Sequence, residues 1–228
     1  MARDDVVTFD CYGTLIDWEG GISSAFLAAA REAGRSLDRE SVLAAYAELE
    51  PRVEEEGYRS YREILRETAV RVAGRLGWPL EPAAAGFLAE SLPSWSPFPD
   101  TNPALQRLAA AGCRLGILSN VDDDLLAGTR RRLAASFDPI VTAQQVKSYK
   151  PGHAHFLEAR RRIPENARWL HAAQSFFHDV VPCRELSIPA AWIDRSGAKT
   201  GRAGADASPV PVTRFADLAG FADWVVAG

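Results

Sequence analysis

VVTFDCYGTLID, residues 6–17, decides how the rest of the chain is read. Residues 6–9 form a short apolar run, the pattern of a parallel strand covered by helices on both faces. The run stops at a carboxylate, Asp10, and a glycine-bearing turn follows, Cys11-Tyr12-Gly13-Thr14. In an open parallel sheet, ligands bind beyond the carboxyl ends of the strands. An acid delivered there is either a cap for the turn or a group with chemistry to perform. What the other strands deliver to the same edge decides between the two.

Further apolar runs lie far downstream, at residues 114–119, 140–143, 169–172 and 190–193. Helical patterns separate them: 102–111, closing on Gly112; 122–135, with acids in its first turn where the helix dipole favours them; 153–162; and 180–186. Strand alternating with helix predicts an α/β fold with a parallel sheet. Residues 18–92 read differently, with helical patterns and no convincing strand. Ile22, Phe26, Leu27 and Ala30 share one face of a helix that Gly34 closes. Asp38 caps a helix expected over 40–50, stopping at Pro51. Tyr61, Ile64, Leu65, Thr68 and Val72 fall at helical spacing within 58–76, and a fourth helix is expected over 82–91. The proline-rich PSWSPFP, residues 93–99, connects this insert back to the core. Residues 197–211 read as a mobile loop before a final helix over 215–226.

The chain has 228 residues, enough for one large domain or a core with a smaller insert. Its 47% hydrophobic and 25% charged residues are the balance of a soluble globular protein. With 26 basic and 30 acidic residues and no basic stripe, nucleic acid is not an expected partner. Arg3, Asp4 and Asp5 precede a strand only a few residues long, which argues against a signal peptide. No uncharged run approaches the ~20 residues of a membrane span. Cys11, Cys113 and Cys183 are odd in number and form no CxxC, so reduced thiols and a cytoplasmic location are expected.

The expected strand ends deliver Asp10, then Ser119-Asn120, then Ser148-Tyr149-Lys150-Pro151, then Gln174-Ser175 with Asp179 shortly after. Two carboxylates, a lysine and small polar residues would converge on one crevice. A strand-end carboxylate near the amides of Cys11 and Tyr12 suits a nucleophile. Lys150 supplies counter-charge, Thr14 and Ser119 can orient the carboxylate, and Asp179 can polarise a water.

DxYGTLxD, LSN, YKP and SxxxD, in this order and at these sheet positions, resemble the motifs of the haloacid dehalogenase superfamily across the whole chain. The resemblance implies a Rossmann-like parallel-sheet core, residues 1–16 and 96–228, with an inserted all-helical cap, residues 17–95. It implies Asp10 as nucleophile, Thr14 and Ser119 as its orienting partners, Lys150 as counter-ion and Asp179 as second acid. Cys11, Tyr12, Asn120 and Ser175 are the expected substrate contacts. Most members are phosphatases with a second Asp where Tyr12 stands, and many carry a metal-site acid where Gln174 stands. A phenol with an ordinary pKa near 10 is a poor substitute in proton transfer near neutral pH. The Asp-x-Tyr form resembles the L-2-haloacid dehalogenase branch, which implies no metal, no cofactor and a small carboxylate substrate. Dimers are common in that branch, so a homodimer is one expected assembly.

Two departures bear on the leaving group. That branch carries an asparagine where Phe176 stands, and a cap arginine that grips the halide. The corresponding cap segment, residues 42–47, has no arginine, although Arg39, Arg52, Arg59 and Arg62 are near it in sequence. LIDWEGGI (15–22) and HAAQSFFHD (171–179) resemble an azetidine-2-carboxylate hydrolase as much as a dehalogenase. A metal-dependent phosphatase and a catalytically retired binding domain are the remaining alternatives. His153 and His155, two apart, do not share a helix face and read as a helix start rather than a metal pair. His171 reads as a packed core residue and His178 as a loop histidine at the site's edge. Asp122, Asp123 and Asp124 read as first-turn acids. Trp18 and Trp95 flank the two cap hinges.

Overall fold

The computed structural model describes residues 5–195 and 212–228. The central strand is β1 (Asp5–Phe9), and the sheet order is β3-β2-β1-β4-β5-β6 with every neighbouring pair parallel. The others are β2 (Arg114–Ser119), β3 (Ile140–Thr142), β4 (Arg168–Ala173), β5 (Ala190–Ile193) and β6 (Val212–Phe215). β1 pairs with β2 on one side and β4 on the other, so the strand order reverses there and a crevice opens at its carboxyl end. The apolar residues of β1 divide between its two faces. Val7 and Phe9 pack with Leu105, Leu108 and Phe221, while Val6 packs with Leu118, Val141 and Phe156. Burying a side chain such as Phe9 stabilises the fold by about 1.5–3 kcal/mol.

Between β1 and β2 the chain forms α1 (Trp18–Glu32), α2 (Arg39–Glu55), α3 (Tyr61–Arg75) and the short α4 (Phe87–Ser91). This is the helical cap over an α/β core. Local signals start each long helix: the Asp17 carboxylate accepts from Gly20 N–H, Asp38 from Ser41 N–H, and Ser60 with Glu63 forms a capping box. The two crossings between core and cap lie side by side. Asp17 N–H donates to Ser96 C=O, and Phe98 N–H donates to Leu15 C=O. The core helices are α5 (Thr101–Ala110), α6 (Asp123–Arg130), α7 (Ala143–Val146), α8 (Ala154–Arg162), α9 (Val181–Glu185) and α10 (Leu218–Ala227). No described helix is long and apolar enough to cross a membrane.

Four local expectations are corrected. α2 does not stop at Pro51 but runs through it to Glu55. Proline removes one helical hydrogen bond, yet buried Val42, Ala45 and Tyr46 before it and Val53 after it keep one packed face continuous. The fourth cap helix is split into a 3₁₀ turn, Pro82–Ala84, and α4, with Gly86 between. The third strand ends at Thr142, whose hydroxyl accepts from Gln145 N–H and starts α7 at Ala143. The last helix begins at Leu218, not 215, because Val212–Phe215 is the edge strand β6. The loop expected over 197–211 lies outside the described residues.

Candidate active site

Asp10 is the first residue beyond β1, and its N–H still donates to Ala172 C=O, which fixes it to the sheet edge. Gly13 makes the following turn at φ +96°, a left-handed conformation natural to glycine. A Cβ there would also crowd Gln174 Oε1 at 3.1 Å and the Trp18 ring at 3.2 Å. The turn brings Thr14 back under Asp10. Its hydroxyl donates to Asp10 Oδ2 at 2.9 Å and accepts from Gln174 N–H at 2.9 Å, so its single proton has one direction.

Lys150 enters from the loop after α7 and is 2% exposed. Its ammonium donates to Asp10 Oδ1 at 2.9 Å, Asp179 Oδ1 at 2.6 Å and Leu118 C=O at 3.0 Å. All three ammonium protons are therefore spoken for. Burial by itself would lower the Lys150 pKa, but the two carboxylates more than reverse this and hold it above the ordinary range. It acts as a fixed positive charge rather than a base. Asn120 holds the lysine's backbone in both directions, accepting from Lys150 N–H at 2.7 Å and donating to Lys150 C=O at 3.1 Å.

Burial pushes both acids upward, but their net shifts are opposite. Asp10 is pushed above the usual carboxylate range by burial and by the Asp179 charge, with Lys150 and Thr14 pulling against them. For Asp179 burial also pushes upward, but Lys150 and His171 outweigh it and hold the carboxyl at about 2. His171 Nε2 lies 3.0 Å from Asp179 Oδ1, and its Nδ1 lies 2.8 Å from the Thr8 hydroxyl. An ionised carboxylate only accepts, so Nε2 carries the proton of that bond. His171 is buried as expected, but it is also the positioning partner of the second acid. A lone histidine inside a strand gives no sequence signal for that. Asp179 Oδ2 is buried without a hydrogen-bond partner.

The remaining expected residues have varied surroundings. Ser119 lines the cavity, but its buried hydroxyl has no partner and does not reach Asp10. Cys11 is fully buried in the apolar core, leaving only its backbone to meet a ligand, and burial pushes its thiol pKa up. Tyr12 lines the cavity with its ring, which packs edge-on against Trp95. Its hydroxyl is bonded to the Thr129 hydroxyl at 2.8 Å, and burial raises its pKa well above the usual 10. It is a wall of the site, with its polar end anchored in α6. Ser175 accepts from His178 N–H at 3.1 Å and starts a π-helical turn, Phe176–Val180, that delivers Asp179. His178 lines the cavity, and burial lowers its pKa below the usual 6.5, so its ring is neutral near pH 7. Phe176 packs edge-on against Trp192.

Among the acids and histidines read as structural, His153 meets Glu185 at 2.6 Å, and His155 is buried with Nε2 3.2 Å from Ser119 C=O. Among the described residues no three His, Cys, Asp or Glu side chains form a metal-ligand group. Asp122 does not cap its own helix. Its two oxygens accept from Tyr61 N–H at 3.0 Å and Arg62 N–H at 2.9 Å, binding the first turn of cap helix α3 to the core. The crevice under the cap holds a cavity of about 280 Å³. From the cap, α2 contributes Tyr46, Ala47, Glu50, Pro51 and Glu54 to its lining. Burial pushes the Glu50 carboxyl up to about 7, and burial with the Glu50 charge pushes Glu54 up to about 9. The expected helix stop at Pro51 had left Glu54 outside the site.

A family model for haloacid dehalogenase-like hydrolases matches residues 5–170. The chain is 26% identical to the (S)-2-haloacid dehalogenase H-109 of Pseudomonas putida across 96% of its own length and 97% of that protein. It is 28% identical to the (S)-2-haloacid dehalogenase 4A of Burkholderia cepacia across 83% of this chain and 82% of that one. In fold it matches a solved L-2-haloacid dehalogenase of Xanthobacter autotrophicus with chloropropionic acid covalently bound, at a TM-score of 0.80 and 20% identity over 98% of both chains. Sheet order, helical cap and family match agree, and the chain belongs to the haloacid dehalogenase-like hydrolases.

Proposed function

We propose that this hydrolase acts on a small organic carboxylate through an ester formed on Asp10, with residues 17–95 serving as the cap over the reaction. The observation that carries the reading is the Lys150 ammonium held between Asp10 Oδ1 and Asp179 Oδ1 at the floor of a capped cavity. One Asp10 oxygen attacks a substrate carbon, and the bond to the leaving group breaks with its electron pair going to that group. Water then adds to the ester carbonyl, and the original Asp10 oxygen departs with the product. Asp179 Oδ2, the oxygen without a partner, accepts from the attacking water, and Lys150 offsets negative charge on the carbonyl oxygen. Thr14 holds Asp10 in one rotamer through both steps. The haloacid dehalogenase relatives support a carbon-centred displacement, as does the covalently bound chloropropionic acid in the Xanthobacter structure. Tyr12 supports it as well, since the phenol is bonded to Thr129 rather than offered to a leaving oxygen. Halide and a strained ring amine are the two leaving groups this displacement accommodates.

Single turnover in heavy-oxygen water tests the route, with L-2-chloropropionate and azetidine-2-carboxylate as substrates. The ester route places label in Asp10 after one turnover; label in product alone excludes it. Asp10→Asn is expected to lower kcat by at least about 10³-fold. Strong Mg²⁺-dependent phosphate release from phosphate esters would replace this reading with a phosphatase.

A further inference from the structure

An in-line displacement expels the leaving group on the side opposite the nucleophile. Asp10 attacks from the core floor, so the departing group is driven toward the cap. α2 presents Glu50 and Glu54 there, one helical turn apart and both lining the cavity. Tyr61 Oη donates to Glu50 Oε1 at 3.1 Å, while no hydrogen bond or ion pair is made by the Glu54 carboxylate among the described residues. Lys150 is the one cation lining the cavity among those residues, and its three protons are already committed to Asp10, Asp179 and Leu118. The nearby cap arginines face elsewhere: Arg59 pairs with Glu56, Arg62 with Asp124 and Arg52 with Glu48.

One further feature of this wall calls for a hydrogen-bond donor. Pro51 has no N–H, so the Ala47 carbonyl loses its regular partner one turn on, and both residues line the cavity. The groups facing Glu50 and Glu54 are Tyr46, Tyr61 and, from the core, Lys150 and Tyr149. None of them brings an uncommitted positive charge. A halide leaving toward this wall meets no uncommitted cation, whereas a protonated nitrogen meets two carboxyl groups and a free carbonyl oxygen that can accept its protons.

We propose that Glu50 and Glu54 bind a protonated amine on the substrate, and that this nitrogen is the leaving group displaced by Asp10. The proposal rests on Asp10 being the nucleophile and identifies the substrate class as a small carboxylate carrying a strained or otherwise activated ammonium. The steps balance without a further reactant. The Asp10 O–C bond forms as the C–N bond breaks, and the electron pair goes to nitrogen, which entered as ammonium and departs as neutral amine. Water splits the ester to an alcohol and returns Asp10, and the proton released in that step is taken up by the amine. With the site empty, the carboxylates hold protons up to about pH 7 and 9, as acids buried without a cation do; a bound ammonium restores their charge.

Two arms test this separately from the nucleophile. In the binding arm, wild-type protein is titrated at pH 8 with L-proline and with cyclopentanecarboxylate, which share a ring and differ in the nitrogen. Proline should bind about ten-fold tighter or better, and the Glu50→Gln/Glu54→Gln double variant should lose that preference. Equal binding in wild type, or a preference that survives in the double variant, overturns the proposal whatever Asp10 does. In the turnover arm, the ratio of kcat/KM for azetidine-2-carboxylate over L-2-chloropropionate should fall about 100-fold in the same variant, and an unchanged ratio overturns it. Heavy-oxygen labelling of Asp10 with either substrate is scored in parallel. Label with no cap effect removes the ammonium site and leaves the nucleophile; a nitrogen preference without label removes the ester route alone.

Discussion

The lysine at the floor of the crevice joins two buried acids, and removing it tests both its structural and its chemical role. Lys150→Met leaves Asp10 and Asp179 facing each other without a cation. Breaking a buried pair in this way is expected to cost about 3–5 kcal/mol of stability at pH 7. Protonation relieves the repulsion, so urea unfolding should show a smaller difference from wild type near pH 4. Wild type has the opposite sensitivity at Asp179. Its folded carboxyl is depressed to about 2, so the stability it contributes is fully present above its unfolded pKa near 4 and is lost as pH falls from about 4 to 2. His171→Phe removes the donor that orients Asp179 and should lower kcat about ten-fold or more with KM little changed; His171→Gln, which retains a donor, should recover part of the loss. That Asp10, Thr14, Lys150 and Asp179 meet at one crevice was legible in the sequence because each lies in a segment that leads away from the end of an apolar run. The Asp179–His171 bond was not, since it joins residues through a side-chain geometry that spacing does not encode. Ser119 lines the cavity as expected, but its hydroxyl does not reach Asp10, for the same reason.

At the scale of elements, the decisive one is the helix that passes through its own proline. The rule that proline ends a helix is local, and packing of Val42, Ala45, Tyr46 and Val53 against the rest of the cap overrides it. A 17-residue α2 carries Glu54 into the cavity wall, and that places the site's acidity on the cap. The pH response follows with a definite sign. An unfolded Glu54 ionises near 4.5, while the folded one holds its proton up to about 9. The native state therefore binds the extra proton between these values, and stability falls as pH rises through that window. Glu54→Gln removes this loss, so its Tm should match wild type below about pH 5 and exceed it increasingly toward pH 9. Thermal scans across that range, without ligand, check it; parallel curves would contradict the carboxylate's burial. The edge strand β6 escaped the sequence reading for a different reason. Four residues with half-exposed faces carry neither alternation nor an apolar run. The α/β alternation and the helical insert were legible, because long periodic segments hold their signal over several turns.

At the scale of the molecule, one acid ties the two parts together. Asp122 stands just before α6 in the core, yet its carboxylate serves the first turn of α3 in the cap. Asp122→Ala should cost roughly 1 kcal/mol, the worth of a helix cap. It should also raise KM and speed hydrogen exchange at the Tyr61 and Arg62 amides relative to amides in β1. Unaltered exchange at those two amides would show that the docking is held elsewhere. The sequence suggested first-turn acids at this position, and only the folded arrangement shows which helix receives them. The adjacent crossings at Ile16 and Pro97 have another consequence. Because they form an antiparallel β-bridge, the gap between them is roughly 5 Å, short enough for one or two residues to span. The cap residues that line the cavity enter and leave the chain through that narrow gate, while Asp10, Lys150 and Asp179 lie outside it. Residues 17–95 can therefore be cut out at two neighbouring points and closed by a short linker while the end of β1 that carries Asp10 stays in the sheet.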